Sequence, residues 1–324
     1  YWLKEIDKGD SPRIPDQDVF MEKLPNLPTQ DYKVVFKATG ADSKTYSDTK
    51  TFAIRTFPWQ GLGLGKDRVV IPPFKPIAVN GGKTMFLQTG YSNAGVLWDA
   101  IYAEGENILA APATLTLNGL EFTVTGSKII EASPDRVVRE VSAVLSDHPD
   151  LTLTVTQDYD YDGFCQVTFD FYPAKPMTVD SLAVSTPLRN ELAKIFEVQY
   201  RDDRRDGQSP DFTLKEGEGE VWNSALHVRE RVLNSYKAYV QPYIWYGDAK
   251  KGLATLLVTP KNMSHNAKDV TQRIVRKDGA ATLSQTFVTK SVTWEKPVRF
   301  CMAFQPSPVK PQVWADQRFA QHMY

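Results

Sequence analysis

Cysteine is scarce in this sequence, which contains only Cys165 and Cys301 in 324 residues. Two cysteines exclude the dense disulfide framework of a small secreted domain. Each cysteine lies in an alternating apolar stretch, so two buried thiols and a single disulfide remain alternatives. The redox compartment therefore stays open.

Long apolar runs are missing as well. No uncharged apolar segment reaches the roughly 20 residues that a membrane-spanning helix needs. The first ten residues, YWLKEIDKGD, contain no initiator methionine and no leader of basic, apolar and small residues in succession. We therefore expect a chain that does not span a membrane and that starts as a mature or trimmed product.

Charge of one sign is not in excess, since 38 Lys and Arg residues balance 39 Asp and Glu residues. A protein that binds nucleic acid or an anionic membrane surface usually carries a basic patch or stripe. The balanced composition predicts neither partner.

Histidine is sparse, with four residues, and none has the spacing of a metal-binding motif. Neither cysteine has the neighbours of an activated nucleophile, and no Gly-x-Ser-x-Gly elbow occurs. Gly61, Gly63 and Gly65 precede Lys66 as in a phosphate loop, but Asp67 stands where Ser or Thr is needed. Several prolines follow and exclude the helix that would hold a phosphate. The sequence predicts no metal and no cofactor.

Two acidic patterns deserve comparison with known chemistry. Asp158, Asp160 and Asp162 match the opening of a calcium loop, but Phe169 occupies the position of its final glutamate. A hairpin is favoured, with the aspartates in water and the intervening tyrosines facing the sheet. In the segment 216–220, three glutamates alternate with glycines, which favours a solvated loop over an acid or base. No pair of catalytic carboxylates is evident, so we predict no catalytic residue.

Aromatic residues make up 11% of the chain, and most of the sequence consists of short alternating segments. Between residues 78 and 305, these segments are separated by Gly, Pro or Asp-Gly, as in antiparallel hairpins. These segments are more numerous than the strands of one small sandwich. The pattern predicts an all-β fold with a large antiparallel assembly of two sheets and little helix.

Three regions are expected along the chain. Residues 1–56 contain two predicted strands, 32–40 and 50–57, and are interpreted as the end of a small β-sandwich module. Residues 57–305 form the large sheet assembly, opened by a Pro- and Gly-rich boundary, and residues 306–324 form a Pro-rich linker. Helical spacing of apolar residues occurs in two short stretches, LRNELAKIFEV (188–198) and NSALHVRERVLNSY (223–236).

The segment YVQPYIWYGD (239–248) contains four aromatic rings in eight residues. In an extended strand, Tyr239, Tyr243 and Trp245 share one face with a glutamine, and the opposite, mostly aliphatic face points inward. Flat rings beside amide and hydroxyl groups suit the C–H face of a pyranose. The alternative is that both faces of a central strand are buried and the rings fill the core. Trp222 and Asp248 are the other residues expected at a cleft, which completes a predicted carbohydrate-binding set.

Four segments occur in an order that resembles a known family. They are FPWQGLGLGKDRVVIPPFKPI, QDYDYDGFCQVTFDF, the GEGEVWN stretch leading to YVQPYIWYGDAKKGLATLLV, and MAFQPSPVKP. This order resembles the non-catalytic β-sandwich region of large bacterial proteins similar to glycoside hydrolase family 123 and its relatives. The resemblance covers about residues 50 to 314. It implies a galactose-mutarotase-like supersandwich, followed in the family by a catalytic (β/α)8 barrel.

The resemblance implies an accessory region that supports the catalytic barrel of the same polypeptide and contributes to carbohydrate binding. Export to the cell surface, the periplasm or the medium is the matching expectation, since polymer-degrading enzymes must reach their substrates. One alternative is a self-sufficient sugar-binding or epimerase-like sandwich, for which His227 with Glu218 would imitate the His and carboxylate of mutarotases. A structural module of a surface assembly is another. Whether the chain is itself an enzyme is left open.

Overall fold

The structure is a computed structural model, and it describes residues 27–63, 67–198, 213–227 and 238–311. The chain divides into two compact units, residues 1–68 and 69–324. The division falls within the Pro- and Gly-rich segment 57–77 that the sequence suggests as a boundary.

The first unit contains a β-hairpin, in which β1 (Asp31–Thr39) pairs with β2 (Thr45–Ala53) along its full length. The second strand was predicted at 50–57, and that prediction is wrong by five residues at its start. Residues Thr45 to Thr49 are polar and exposed on both sides of the ribbon, so no apolar alternation marks them as strand. Ser43, with a φ of 62°, lies in the tight turn that joins the strands.

The second unit contains twenty strands within the described residues. In chain order they are β3 (Ala78–Asn80), β4 (Lys83–Met85), β5 (Thr89–Ser92), β6 (Ala100–Ala103), β7 (Glu106–Asn107), β8 (Thr114–Leu117), β9 (Leu120–Ala132), β10 (Arg136–Leu145), β11 (His148–Asp160), β12 (Cys165–Pro173), β13 (Met177–Val179), β14 (Leu182–Arg189), β15 (Ile195–Val198), β16 (Gly219–Asn223), β17 (Tyr243–Gly247), β18 (Gly252–Leu257), β19 (Gln272–Lys277), β20 (Ala280–Val288), β21 (Val292–Trp294) and β22 (Val298–Ser307).

Thirteen of these strands form one sheet, in the order β15-β17-β18-β22-β12-β11-β10-β9-β8-β14-β20-β19-β16. Every neighbouring pair in it is antiparallel. The predicted all-β fold with large antiparallel sheets is therefore confirmed.

The long sheet folds over, so that its two halves pack face to face. Phe287 on β20 lies 5.3 Å from Phe300 on β22, between ring centroids. At the two ends of the sheet, the rings of Phe196 on β15 and Trp222 on β16 are 5.8 Å apart. These contacts join strands that are far apart in the sheet order, which makes the two halves the layers of a sandwich.

A five-stranded sheet, β3 to β7, packs against the sandwich through aromatic side chains. The Tyr91 ring on β5 lies 5.2 Å from Tyr159 on β11, and Trp98 lies 4.7 Å from Phe304 on β22. Trp98 also donates a hydrogen bond to the Tyr159 hydroxyl, at 2.8 Å. All four rings are completely buried, so this small sheet shares the core of the sandwich.

Helix is limited, among the described residues, to a 3-10 turn at Ser224–His227. The prediction of a helix over 188–198 is wrong, because these residues complete β14, turn, and form β15. Apolar residues at helical spacing there enter the core from two strands and a turn instead. The second predicted helix, 223–236, overlaps the 3-10 turn, and residues 228–236 lie outside the described part. No described helix has the length and hydropathy needed to cross a membrane.

Candidate carbohydrate-binding face

The aromatic segment enters the sandwich as β17, one strand in from the end of the long sheet. Ile244 and Tyr246 are completely buried, whereas Tyr243 and Trp245 are only partly buried. The predicted inward face is thus confirmed for the strand itself. The partly exposed side chains lie on the opposite, outer face of the sheet.

Strand pairing extends this outer face across several strands, because directly paired residues project to the same side. One row consists of Glu197, Trp245, Ala254 and Gln305. A second row consists of Tyr243, Leu256, Ala303, Gln166 and Asp158. We call these nine residues the aromatic face. With a strand spacing of about 4.8 Å, Tyr243 and Asp158 are about 19 Å apart.

The Trp245 indole lies flat on the sheet. Its ring covers Gly252, where a Cβ atom would lie 2.4 Å from the indole carbon Cζ2. The indole Nε1 donates a hydrogen bond to the Ser307 hydroxyl on β22, at 3.1 Å. The ring therefore spans β17, β18 and β22, with one face fixed against the backbone at Gly252. A residue larger than glycine at position 252 cannot coexist with this ring position.

Tyr243 and Glu197 provide polar groups beside the indole. Glu197 is exposed and is the direct strand partner of Trp245. Burial raises the pKa of the Tyr243 hydroxyl, and the negative charge of Glu197 raises it further. Tyr243 thus stays protonated at neutral pH and can donate a hydrogen bond. Glu197 was not predicted at the site, because residues 188–198 have the apolar spacing of a helix, and only the Ile-Phe-Glu-Val alternation indicates a strand.

Trp222 and Tyr239, two further predicted binding residues, lie outside the aromatic face. Trp222 is 2% exposed and packs on Phe196 in the core, so its ring offers no open surface to a sugar. Tyr239 is partly buried and precedes β17, in a segment where its carbonyl accepts bonds from Ser224 and Thr271. The strict alternation predicted from Tyr239 onward therefore begins only at Tyr243.

Asp248 closes the turn between β17 and β18. Its Oδ1 atom accepts hydrogen bonds from the backbone N–H groups of Lys250 and Lys251, both at 2.8 Å. This bonding pattern is typical of an Asx turn. Asp248 is therefore adjacent to the aromatic face through β17, and its carboxylate is engaged in shaping the turn that leads to Gly252.

The other end of the aromatic face is charged. Asp158 forms a bidentate ion pair with Arg136, with N–O distances of 2.8 and 2.6 Å. Together with Gln166 and Asp160, these residues line a cavity of about 250 Å³. Burial raises the pKa of Asp160, while a hydrogen bond from the Tyr161 N–H lowers it. The cavity thus offers carboxylate and amide oxygens at the end of the row that starts at Tyr243.

The Asp158–Asp162 segment forms the turn end of the β11–β12 hairpin, as the favoured interpretation predicts. The Gly163 N–H donates to the Asp160 carbonyl at 2.9 Å, and Gly163 has a φ of 88°. Tyr159 points into the core and is completely buried. Asp162 accepts a hydrogen bond from the Phe164 N–H, at 2.8 Å.

The glutamates of the 216–220 segment are not gathered around one point. Glu220 forms an ion pair with Arg273, at 2.9 Å, and accepts a bond from Asn223. Glu216 and Glu218 are exposed beside Gly217 and Gly219, whose φ angles are 93° and 98°. The side chain of His227, the other half of the epimerase-like pair, lies outside the described part of the structure.

Comparisons with family models and with curated proteins find no match to this chain. Among solved structures, an α-N-acetylgalactosaminidase from Bifidobacterium bifidum is 11% identical with a TM-score of 0.42, over 76% of this chain and 38% of that one. Heparinase III is 6% identical with a TM-score of 0.39, over 72% of this chain and 34% of that one. A galactose 1-epimerase from Lactobacillus acidophilus is 8% identical with a TM-score of 0.36, over 85% and 98%.

The chain spans little more than a third of the length of the first two proteins. With TM-scores of 0.42 and lower, these similarities identify neither a family nor an activity. None of them points to glycoside hydrolase family 123 in particular, and that resemblance stays a prediction.

Proposed function

We propose that the second unit is a non-catalytic carbohydrate-binding sandwich, an accessory region of a carbohydrate-active polypeptide. In this proposal the aromatic face holds a saccharide chain across the strands, beside a catalytic domain of the same polypeptide. The observation that carries the proposal is the Trp245 ring, which is held flat by Ser307 and the Gly252 backbone.

A flat, fixed ring suits sugar binding for a physical reason. The C–H face of a pyranose is apolar, and an aromatic ring that is already oriented loses little conformational entropy when the sugar stacks on it. Polar groups are then needed at the edge of the sugar to bind its hydroxyls. Glu197 is the direct strand partner of Trp245, and Tyr243 and Gln305 lie on the same face, so the face carries a carboxylate, a hydroxyl and an amide. The Gln305 Nε2 donates to the Asp162 carbonyl at 3.1 Å, which leaves the amide oxygen as its group for a sugar hydroxyl.

The carboxylates at the ends of the aromatic face support a binding role. Glu197 and Asp158 are separated by five strand spacings, or about 24 Å. Glycoside hydrolysis requires two carboxyl groups roughly 5 to 10 Å apart. Asp158 is in addition held by Arg136 in a bidentate ion pair, which occupies both of its oxygens.

The test is retention on polysaccharides. In native gels cast with a panel of soluble polysaccharides, we expect the chain to be slowed by at least one of them. Trp245→Ala should abolish the retardation, because the stacking surface is lost. The matched control is Trp59→Ala, which removes an indole of the first unit that is 60% exposed, and it should migrate as wild type in every gel.

Stability measurements on the same variants separate binding from packing. Trp245 is partly exposed, so Trp245→Ala should cost less than the about 3–5 kcal/mol typical of a buried tryptophan. Gly252→Ala should weaken retention without removing the indole, because the new Cβ displaces the ring. Equal retention of wild type and Trp245→Ala would contradict the proposal. So would turnover of aryl glycosides, or interconversion of sugar anomers, by the purified chain.

A further inference from the structure

Arg276 on β19 is an arginine held almost completely inside the protein, with 7% exposure. Its Nε donates to the Lys215 carbonyl at 2.8 Å, and its Nη2 donates to the Ala193 carbonyl at 2.6 Å. Its Nη1 donates to the side-chain and backbone oxygens of Asn190. Four of the five guanidinium N–H groups are thus bound to neutral oxygens. The fifth, on Nη2, has no acceptor among the described residues.

The charge of this guanidinium is not neutralised by a direct partner. None of the described carboxylates forms an ion pair with it. Burial lowers the pKa of Arg276, and the negative charge of Glu216 opposes that shift without a direct ion pair between the two side chains. A buried cation without a counterion is costly, because its charge is removed from water without compensation.

The guanidinium lines a cavity of about 480 Å³. That volume is within the range of about 300–1,000 Å³ found for small-molecule sites. Its other lining residues include Asn190, Lys194, Leu214, Glu216 and Glu218. Lys194 is exposed, so the cavity has one buried cation, Arg276, and one exposed cation, Lys194.

We propose that this cavity is a second binding site, which takes a sugar bearing an oxyanion, either a carboxylate or a sulfate. The oxyanion accepts a hydrogen bond from the remaining N–H of Arg276 and forms an ion pair with the Lys194 ammonium. The site shares no residue with the aromatic face and can be tested separately; the oxyanion is inferred from Arg276 and Lys194, whereas the sugar that bears it rests on the proposed function.

Glu216 and Glu218 do not exclude an anion from the cavity. Both side chains are exposed, so solvent and salt screen their charges. The Arg276 charge is buried, where electrostatic interactions are stronger because the effective dielectric constant is lower. The two glutamates are nevertheless expected to weaken anion binding. Removing one of their charges should therefore strengthen binding, whereas removing the Lys194 charge should weaken it.

The experiment is isothermal titration of the 324-residue chain with four probes: a hexuronate, a sulfated hexose, the neutral hexose and inorganic sulfate. The proposal expects binding of at least one of the two charged sugars and no heat from the neutral hexose. Which charged sugar binds decides between carboxylate and sulfate. Binding should weaken as sodium chloride is added.

Variants identify the site. Lys194→Gln should weaken binding of the charged sugar about two- to fivefold, the scale of an exposed ion pair, and Glu216→Gln should strengthen it by a similar factor. Arg276→Lys keeps the charge and loses the planar fork, and a loss of about tenfold is expected. If Arg276→Lys unfolds the chain, the opposite effects of the two exposed variants still decide the matter. Lys290→Gln, a charge removal elsewhere on the surface, is the matched control and should change nothing.

Several outcomes would overturn the proposal. They are equal binding of the charged and neutral hexoses, binding of inorganic sulfate alone, no binding of any probe, and binding that is insensitive to both Lys194→Gln and Glu216→Gln. Trp245→Ala should bind the charged sugar as wild type does. Loss of polysaccharide retention with intact sugar-acid binding, or the reverse, therefore shows which of the two sites has failed.

Discussion

The protonation state of the His265 ring is determined by its neighbours Thr289 and Asp269. The Thr289 hydroxyl donates to the Asp269 carboxylate at 2.6 Å, so its oxygen can accept from His265 Nδ1, which lies 2.9 Å away. Neutral His265 then carries its proton on Nδ1. Its Nε2 atom is buried without a hydrogen-bond partner. A proton added at Nε2 would place a charge in this buried position.

Burial accordingly lowers the pKa of His265 from 6.5 to about 4, although the Asp269 charge opposes the shift. Below pH 6.5 the unfolded chain binds a proton that the folded chain excludes, so stability falls as the pH drops from 6.5 towards 4. The part due to His265 is about 1–3 kcal/mol, given its partial exposure. Urea unfolding of wild type and His265→Gln at pH 7 and pH 4.5 measures it.

The readout is the difference between the two pH values, since other groups also titrate. His265→Gln should lose about 1–3 kcal/mol less than wild type on acidification. The control is His148→Gln, which changes an exposed histidine at the start of β11. An equal acid-induced loss in wild type and His265→Gln would disprove the pKa shift.

For individual residues of the candidate site, the sequence predicted the aromatic pair of β17 but few of the residues around it. Tyr243 and Trp245 follow from alternation alone. The contact of Trp245 with Gly252 and Ser307, and the position of Glu197, depend on strand pairing between distant segments. Local residue patterns contain no information on such pairing, which is why these neighbours were missed.

At the level of secondary structure, the Gln272 side chain bonds the backbone of Gln241, as a neighbouring strand would. The residues before β17 do not pair as a strand, yet Gln241 is buried with its backbone polar groups. The Gln272 side chain bonds both: its Oε1 accepts from the Gln241 N–H at 2.6 Å, and its Nε2 donates to the Gln241 carbonyl at 2.8 Å. A third bond runs to Gln285, at 3.1 Å. One amide thus positions the segment that leads into the aromatic face.

Gln272→Leu should destabilise the chain by about 2–4 kcal/mol, because it leaves buried backbone groups unsatisfied. Chemical denaturation monitored by tryptophan fluorescence measures this loss. Gln88→Leu is the matched control, since it changes a partly buried glutamine outside the network, and it should cost less than 1 kcal/mol, roughly the range of an ordinary substitution. Similar losses in both variants would show that Gln272 has no special bridging role.

Secondary structure was predictable where one face of a strand is buried and the other is not. The β11 and β12 hairpin, with its Asp-Gly turn, is an example. The start of β2, which is polar on both faces, was missed, and β15, which is four residues long and follows a turn rich in helix formers, was predicted as helix. Both strands form by pairing with a neighbour, β2 with β1 and β15 with β17, and the local pattern at the start of β2 and within the short β15 is too weak to predict this.

The two layers of the sandwich are joined by a polar contact through the core. The Tyr246 hydroxyl on β17 donates to the Thr186 carbonyl on β14 at 2.7 Å, and lies 2.9 Å from the Thr186 hydroxyl. These strands are on opposite layers. The pair therefore fixes the alignment of the layers as well as filling space between them.

Tyr246→Phe should lower the free energy of unfolding by about 1–2 kcal/mol, since it removes buried hydrogen bonds and leaves the ring in place. Thermal unfolding followed by circular dichroism is a suitable measurement. Tyr32→Phe removes the exposed bond to the Pro28 carbonyl and should have a smaller effect. A larger loss for Tyr32→Phe than for Tyr246→Phe would contradict the assigned role.

The position of β22 has a consequence for how the protein is made. Of the strands that the structure describes, this one comes last in the chain, yet it lies between β12 and β18 in the long sheet, with Cys165 opposite Phe304. A ribosome must therefore deliver residue 307 before the fourth place in the sheet can be filled, and until then the edges of β12 and β18 are open to incorrect pairing. Such late, distant pairing slows folding and exposes the nascent chain to aggregation. Protection of the growing chain by a chaperone should accordingly matter most during synthesis of residues 258 to 307.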